Sequence, residues 1–124
     1  MSTERTESWH GHGADELQRL WGRDSVHLYG TVPSTNDVAR ELAEEGAPGG
    51  TVVLAREQSE GRGREGRAWQ SPPGGVYLTV LFRPERLPNP DLLPLLAGLG
   101  IVRRLDDAFA DLEPALKWPN DVMS

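Results

Sequence analysis

The sequence contains no cysteine. That excludes disulfides, thiolate metal sites and a cysteine nucleophile, and it suits a reducing compartment. Long hydrophobic runs are also missing. The longest near-apolar stretch, residues 92–102, is interrupted by Pro94 and falls short of the ~18 apolar residues a spanning helix needs. No membrane segment is expected. The opening MSTERTESWHGHG has no apolar core, so it does not read as a secretory signal. There is no excess of positive charge, the net charge being −6. General nucleic-acid binding needs a basic face to displace counterions, so this balance argues against it. Histidine is scarce. His10 and His12 lie in the polar N-terminal stretch without further zinc ligands, and His27 reads as a structural residue in a strand.

What is present fits a folded domain. Of 124 residues 37% are hydrophobic and 26% are charged, which excludes wholesale disorder and allows one modest domain. Glycine (14) and proline (10) are abundant. They cluster at residues 46–50, 61–66, 72–75 and 84–90, between apolar stretches, where they mark loops.

Residues 1–13 are polar and expected to fray. Residues 14–21 place Leu17, Leu20 and Trp21 at helical spacing. Residues 26–32 read as a strand, and Ser34 offers an N-cap to a helix ending at Gly46, with Asp37 completing a weak capping box. A second strand is expected over 51–57. A third, over 76–82, is apolar on both faces and so expected to be central in its sheet. Asp91 is expected to cap a helix kept on a core by Leu95, Leu99, Val102 and Phe109. Residues 115–118 start another strand. The order β-α-β-loop-β-α-β is a mixed α/β pattern.

Three segments carry chemistry. In GRGREGRAW, residues 61–69, three glycines alternate with three arginines. Glycine lets backbone approach a ligand, and arginine donates planar hydrogen-bond pairs to carboxylate or phosphate. A solvated charged loop or an RGG-like RNA contact is the competing reading. Ser34-Thr35-Asn36 sits at a strand-to-helix turn, where free backbone N–H groups are expected to point outward toward a polar heterocycle or carboxylate; an ordinary N-cap is the alternative. Lys117-Trp118-Pro119-Asn120-Asp121 sits at a strand end, and it reads equally as a turn.

In this order and spacing, Ser34-Thr35-Asn36, Gln58, the 61–69 loop and residues 117–121 resemble the catalytic domain of biotin–protein ligases, also called biotin–[acetyl-CoA-carboxylase] ligases. The resemblance runs from about residue 26 to the end of the chain. It implies a mixed sheet flanked by helices, of the class II aminoacyl-tRNA synthetase-like type. It also implies a two-step reaction: biotin and ATP give biotinyl-5′-AMP, and biotin then passes to a lysine of a carboxyl-carrier protein. By carry-over, Ser34, Thr35, Asn36 and Gln58 hold biotin. Arg62, Gly63 and Arg64 wrap its carboxylate and the phosphate. Arg67 and Trp69 support the adenylate pocket. Asn120 and Asp121 place the nucleotide, Mg²⁺ or the incoming lysine, with Lys117 as a further candidate or a structural residue. Arg62, Arg64 and Asp121 are the catalytic candidates. Mg²⁺ enters with ATP, and no metal ligand from the protein is assigned.

Members of the family continue past this point into a lysine-bearing segment, further strands and a small C-terminal domain. The chain ends at Ser124. The expectation is therefore the front part of a catalytic domain, residues 26–124, behind a polar extension of residues 1–25, inactive or nearly so by itself. The extension is too short for a winged helix-turn-helix, so no DNA partner is expected. A cytoplasmic location and a homodimer through the sheet complete the expectations. A lipoate or octanoyl transferase of the same superfamily, and a non-enzymatic RNA-binding module, are the alternatives.

Overall fold

The four residues Val52, Val53, Leu54 and Ala55 are all buried, and they form the middle strand of the principal sheet. The computed structural model describes residues 4–83, 89–117 and 121–123. They fall into two units, Met1–Arg83 and Pro84–Ser124.

The first unit begins with two short antiparallel strands, β1 (Ser8–Trp9) and β2 (His12–Gly13), followed by α1 (Ala14–Trp21). Next come β3 (Val26–Val32), α2 (Thr35–Glu44), β4 (Val52–Gln58) and β5 (Tyr77–Val80). The sheet order is β3-β4-β5, with β4 parallel to β3 and antiparallel to β5. β4 alternates its side chains between two cores. Val53 and Ala55 pack with Tyr29, Val32 and, from α2, Val38 and Ala39. Val52 and Leu54 pack with Val26, Leu28 and, from α1, Leu17. Burial on both faces is why this strand reads as a continuous apolar run.

Three expectations change here. The strand around Leu78 is not central: within the described sheet β5 pairs only with β4, and Val76, Leu78 and Phe82 are exposed. Both-sided apolarity marks a middle strand only if both faces are covered, and here that strand is β4. Residues 4–13 are not frayed. Thr6 N donates to the Leu28 carbonyl at 3.0 Å and Gly30 N to the Glu4 carbonyl at 3.2 Å. Trp9 packs on the α1-side core. Backbone pairing to the β3 edge needs no apolar composition, so the polar sequence hid it. In α1 only Leu17 is buried, whereas Leu20 and Trp21 are exposed.

In the second unit a 3₁₀ turn (Pro90–Leu92) leads into α3 (Leu93–Ala108), followed by the hairpin β6 (Ala115–Lys117) and β7 (Asp121–Met123). Asp91 does not cap α3. The turn moves the cap position to Leu92, with no side-chain hydrogen bond there. Leu95 and Val102 are partly buried as expected, but Leu99 and Phe109 are exposed. The inward stripe is instead Leu95, Gly98, Val102 and Leu105. Gly98 is fully covered because Leu116 of β6 lies where its Cβ would be. No helix among the described residues is long and apolar enough to cross a membrane.

Candidate functional site

β3 delivers the chain to Ser34, whose extended backbone and hydroxyl cap α2. Ser34 Oγ accepts from Asn36 N at 3.2 Å, and the Ser34 carbonyl accepts from Asp37 N at 3.1 Å and Val38 N at 3.3 Å. The remaining donor of the first turn, Thr35 N, gives its hydrogen to Gln58 Oε1 at 2.8 Å. Of the four N–H groups that a helix start leaves open, those of Thr35, Asn36 and Asp37 are thus occupied. This corrects the expectation of free backbone donors at the turn. Positive charge for an anion must come from side chains.

The turn's side chains form a relay. Thr79 Oγ1 donates to Asn36 Oδ1 at 2.6 Å, and Thr79 lies 2.8 Å from Thr35 Oγ1. A hydroxyl has one hydrogen, so Thr35 is the donor to Thr79. The amide nitrogen of Asn36 is then aimed away from Thr79, at an exposed position, with no hydrogen-bond acceptor among the described residues. Thr79, on β5, was missed in the sequence. Its signal was the one aliphatic hydroxyl, a threonine, in the VYLTVLF stretch.

Gln58 ends β4 and braces two motifs at once. Its Oε1 holds Thr35, and its Nε2 donates to Ser71 Oγ at 3.0 Å. The arginine-glycine segment between these points is a hairpin. Gln58 N donates to the Ser71 carbonyl at 3.0 Å, Trp69 N to the Gly61 carbonyl at 2.8 Å and Gly63 N to the Arg67 carbonyl at 2.6 Å. Gln58–Ser71 and Arg62–Ala68 are antiparallel bridges. Ser59 N and Glu60 N donate to the carbonyls of Val32 and Pro33 at 2.9 and 2.8 Å, which pins the hairpin base beside the turn. Gly61 is needed for space, since a Cβ there would sit 2.5 Å from the Trp69 carbonyl oxygen. At the tip, Arg64–Gly66 make a 3₁₀ turn with positive φ at Glu65 and Gly66.

The arginines differ in their surroundings. Arg62 grips Asp37 with both terminal nitrogens: Nη1 lies 3.3 Å from Oδ2 and Nη2 bonds Oδ1. The Arg62 hydrogen bond holds the Asp37 carboxyl below the usual carboxylate range, and the pairing raises the guanidinium in turn. Arg40 adds a second cation 3.9 Å from Asp37. Arg67 lies 3.9 Å from Glu65, with both exposed. The Arg64 side chain has no ion-pair or hydrogen-bond partner among the described residues. Trp69, on the return arm, is 58% exposed.

Ser34, Thr35, Asn36, Gln58, Arg62, Gly63, Arg64, Arg67 and Trp69 thus come together around one turn and one hairpin. Lys117 and Asp121 lie in the second unit, directly opposite one another in the β6–β7 register, and both are exposed. Asn120 lies outside the described residues.

The family profile "Biotin/lipoate A/B protein ligase family" matches residues 29–124, and the chain belongs to that family. Among its relatives, the bifunctional ligase/repressor BirA of Bacillus subtilis is 40% identical over 94 residues, covering 74% of this chain and 29% of BirA. The biotin–[acetyl-CoA-carboxylase] ligase of Paracoccus denitrificans is 41% identical over 92 residues, covering 73% of this chain and 38% of that enzyme. Among solved structures, the biotin protein ligase of Aquifex aeolicus in complex with biotin and ATP superposes with a TM-score of 0.69 at 36% identity, covering 82% of this chain and 42% of that one. The Leishmania major enzyme with biotinyl-5-AMP gives 0.65 at 34% identity, covering 80% of this chain and 47% of that one. The mixed sheet with flanking helices is therefore the biotin protein ligase fold, and the chain spans less than half the length of each of these proteins.

Proposed function

We propose that the chain carries the biotin and adenylate-forming part of a biotin–protein ligase. Biotin's carboxylate attacks the α-phosphate of ATP, pyrophosphate leaves, and biotinyl-5′-AMP forms. The ε-amine of a lysine on a carboxylase carrier protein then takes the biotin and releases AMP. The observation that carries this reading is the bracing of the Ser34–Asn36 turn to the arginine hairpin through Gln58 and Asp37. It puts neutral donors for a heterocycle beside guanidinium groups for anions.

The chemistry follows from these groups. The Asn36 amide, oriented by Thr79, offers two donors to the carbonyl of biotin's ring, and Thr35 and buried Ser34 hold that turn rigid. Gln58 acts as the brace. Nucleophile and phosphates are all anionic, so repulsion is part of the barrier. Preorganised guanidinium donors at Arg62 and Arg64 offset it most where charge builds up in the transition state. Gly63 lets the backbone come close to the ligand. Arg67 and the exposed Trp69 flank the nucleotide, and a folded-down hairpin shields the mixed anhydride from water. Asp121, with Asn120 and Lys117, serves the nucleotide or the incoming lysine, and Mg²⁺ arrives with ATP.

On this reading residues 26–124 belong to the ligase domain; of the preceding residues, 4–6 pair with its first strand and Leu17 of α1 packs against it. The protein works in the cytoplasm on a carboxyl-carrier domain, without DNA or membrane partners, and a homodimer would use the sheet. Internal pairing of Arg62 with Asp37 and the proximity of Arg67 to Glu65 leave little net positive charge for RNA.

Two measurements test this reading. Labelled biotin should bind in the presence of ATP and resist a large excess of lipoate; displacement by lipoate at biotin-like concentrations would overturn the substrate assignment. In a form of the protein that catalyses biotin-dependent ATP–pyrophosphate exchange, Arg62→Ala should lower that exchange by roughly 10²–10³-fold, as loss of a preorganised transition-state donor does, with the melting curve unchanged. Exchange at the unaltered rate would remove Arg62 from the chemistry.

A further inference from the structure

The arginine suited to the ligand's anion already holds one. Asp37 directly follows the Ser34–Asn36 turn, while Arg62 stands on the outgoing arm of the hairpin, and their side chains meet end to end. At the third helical position after a serine cap, an acidic side chain ordinarily turns back to the cap's own N–H. Here the carboxylate turns outward to Arg62. End-on pairing uses one N–H from each terminal nitrogen. A guanidinium has five donors, so Nε–H and the outer hydrogen of each terminal nitrogen stay available. Among the described residues no other acidic group forms an ion pair with Arg62.

We propose that Asp37 is a positioning residue for Arg62: before ligand binds, its carboxylate ties the hairpin to the turn and presents the guanidinium with its Nε edge open to an incoming carboxylate or phosphate. The identity of that ligand rests on the adenylation reading above, whereas the tie itself does not. Both side chains are partly exposed, Arg62 at 43% and Asp37 at 31%. Such a pair is weak and screened by salt. It biases the hairpin toward the turn and still yields when a ligand brings its own negative charge.

Limited trypsin digestion of the full chain reads the tie directly, because Arg62, Arg64 and Arg67 are themselves cleavage sites. Asp37→Asn keeps the shape and removes the charge. Without ligand at low salt, hairpin cleavage should be about two- to five-fold faster in this variant, the range expected for an exposed ion pair. Asp37→Glu should restore near-original protection. In the unaltered protein, cleavage normalised to a peptide substrate should rise with sodium chloride toward the rate of the Asn variant. Equal low-salt cleavage of the unaltered and Asn proteins would overturn the proposal. So would a salt-independent rate in the unaltered protein, a measurement needing no substitution. Biotin with ATP is then added. Protection of the unaltered hairpin, at lower ligand concentration than in the Asn variant, supports both readings. A hairpin loosened by Asp37→Asn but protected by biotin and ATP in neither protein would leave the tie standing and remove the adenylation reading.

Discussion

Alanine at position 61 would put a methyl group where the return arm of the hairpin already runs. Its Cβ would lie 2.5 Å from the Trp69 carbonyl oxygen and 3.1 Å from Gln58 Nε2, and it would overlap the Ser71 hydroxyl. The Trp69 carbonyl cannot simply move aside, because the same residue's N–H is bonded to the Gly61 carbonyl at 2.8 Å. The protein can keep the rung and accept overpacking, at a cost of about 1–3 kcal/mol. Or it can open the rung and lose the Trp69–Gly61 and Gln58–Ser71 hydrogen bonds, at about 0.5–1.5 kcal/mol each. Either route costs about 1–3 kcal/mol. Opening leaves the two hydrophobic cores untouched, since no hairpin residue belongs to them. The damage should therefore be local. Amide hydrogen exchange at Trp69 should accelerate by roughly 5- to 150-fold, at 1.36 kcal/mol per factor of ten. Because either route raises the folded state against the unfolded chain, the urea midpoint should fall as well, by that cost divided by the m-value. A Trp69 amide exchanging at its original rate in Gly61→Ala would refute the packing described for the hairpin base.

Further outcomes follow from other contacts. Thr79→Val removes the hydroxyl that orients Asn36 while keeping its volume. Biotin affinity should fall about three- to ten-fold, the worth of one neutral hydrogen bond, and thermal stability should change little; unchanged affinity by titration calorimetry would remove Thr79 from the site. Ser34→Ala should destabilise the protein by about 1 kcal/mol, read by urea denaturation, because an N-cap acceptor is lost. His27 sets a pH dependence. Burial first, and then the Arg5 charge, push its pKa below 6.5. Arg5 donates to Nδ1, so the neutral ring carries its hydrogen on Nε2, 2.9 Å from Ser25 Oγ. The folded state thus favours the neutral ring, and the unfolded chain takes up a proton first. This contribution is fully present above pH 6.5 and is lost as pH falls from there toward the lower folded pKa. His27→Gln should flatten the stability profile in that window, and an unaltered slope would exclude His27 as its source.

In the first unit β3, β4 and α2 were legible because β-branched runs and the Ser34 cap act locally, whereas β1 and β2, in a polar stretch expected to fray, were not. Residues 26–32 match β3 at both ends, and α2 stops just before Gly46. Legibility ended where one segment chooses a partner far along the chain. Nothing near Asp37 announces Arg62, and nothing near Asn36 announces Thr79. Both pairings arise because β3, β4 and β5 lie side by side and carry their flanking turns with them. The edge position of β5 was hidden for the same reason, since alternation reports which residues are apolar and not whether a neighbour covers them. Local order misled twice: Asp37, read as half of a capping box with Ser34, turns to Arg62 instead. Asp91 had the right side chain for a cap, but an extra turn displaced it from the cap position. The strand expected from residue 115 is there as β6, and its partner β7 was too short to show a period.

With the N–H groups of Thr35, Asn36 and Asp37 occupied at the start of α2, the formal positive charge of the turn and hairpin comes from guanidinium groups alone. Guanidinium does not release its proton in water at any pH that a cell reaches, and Asp37, held below its ordinary range, remains ionised as well. This part of the protein therefore has no proton switch across the physiological range. Its hold on a carboxylate or phosphate should respond to ionic strength and to competing anions, and stay level as acidity changes.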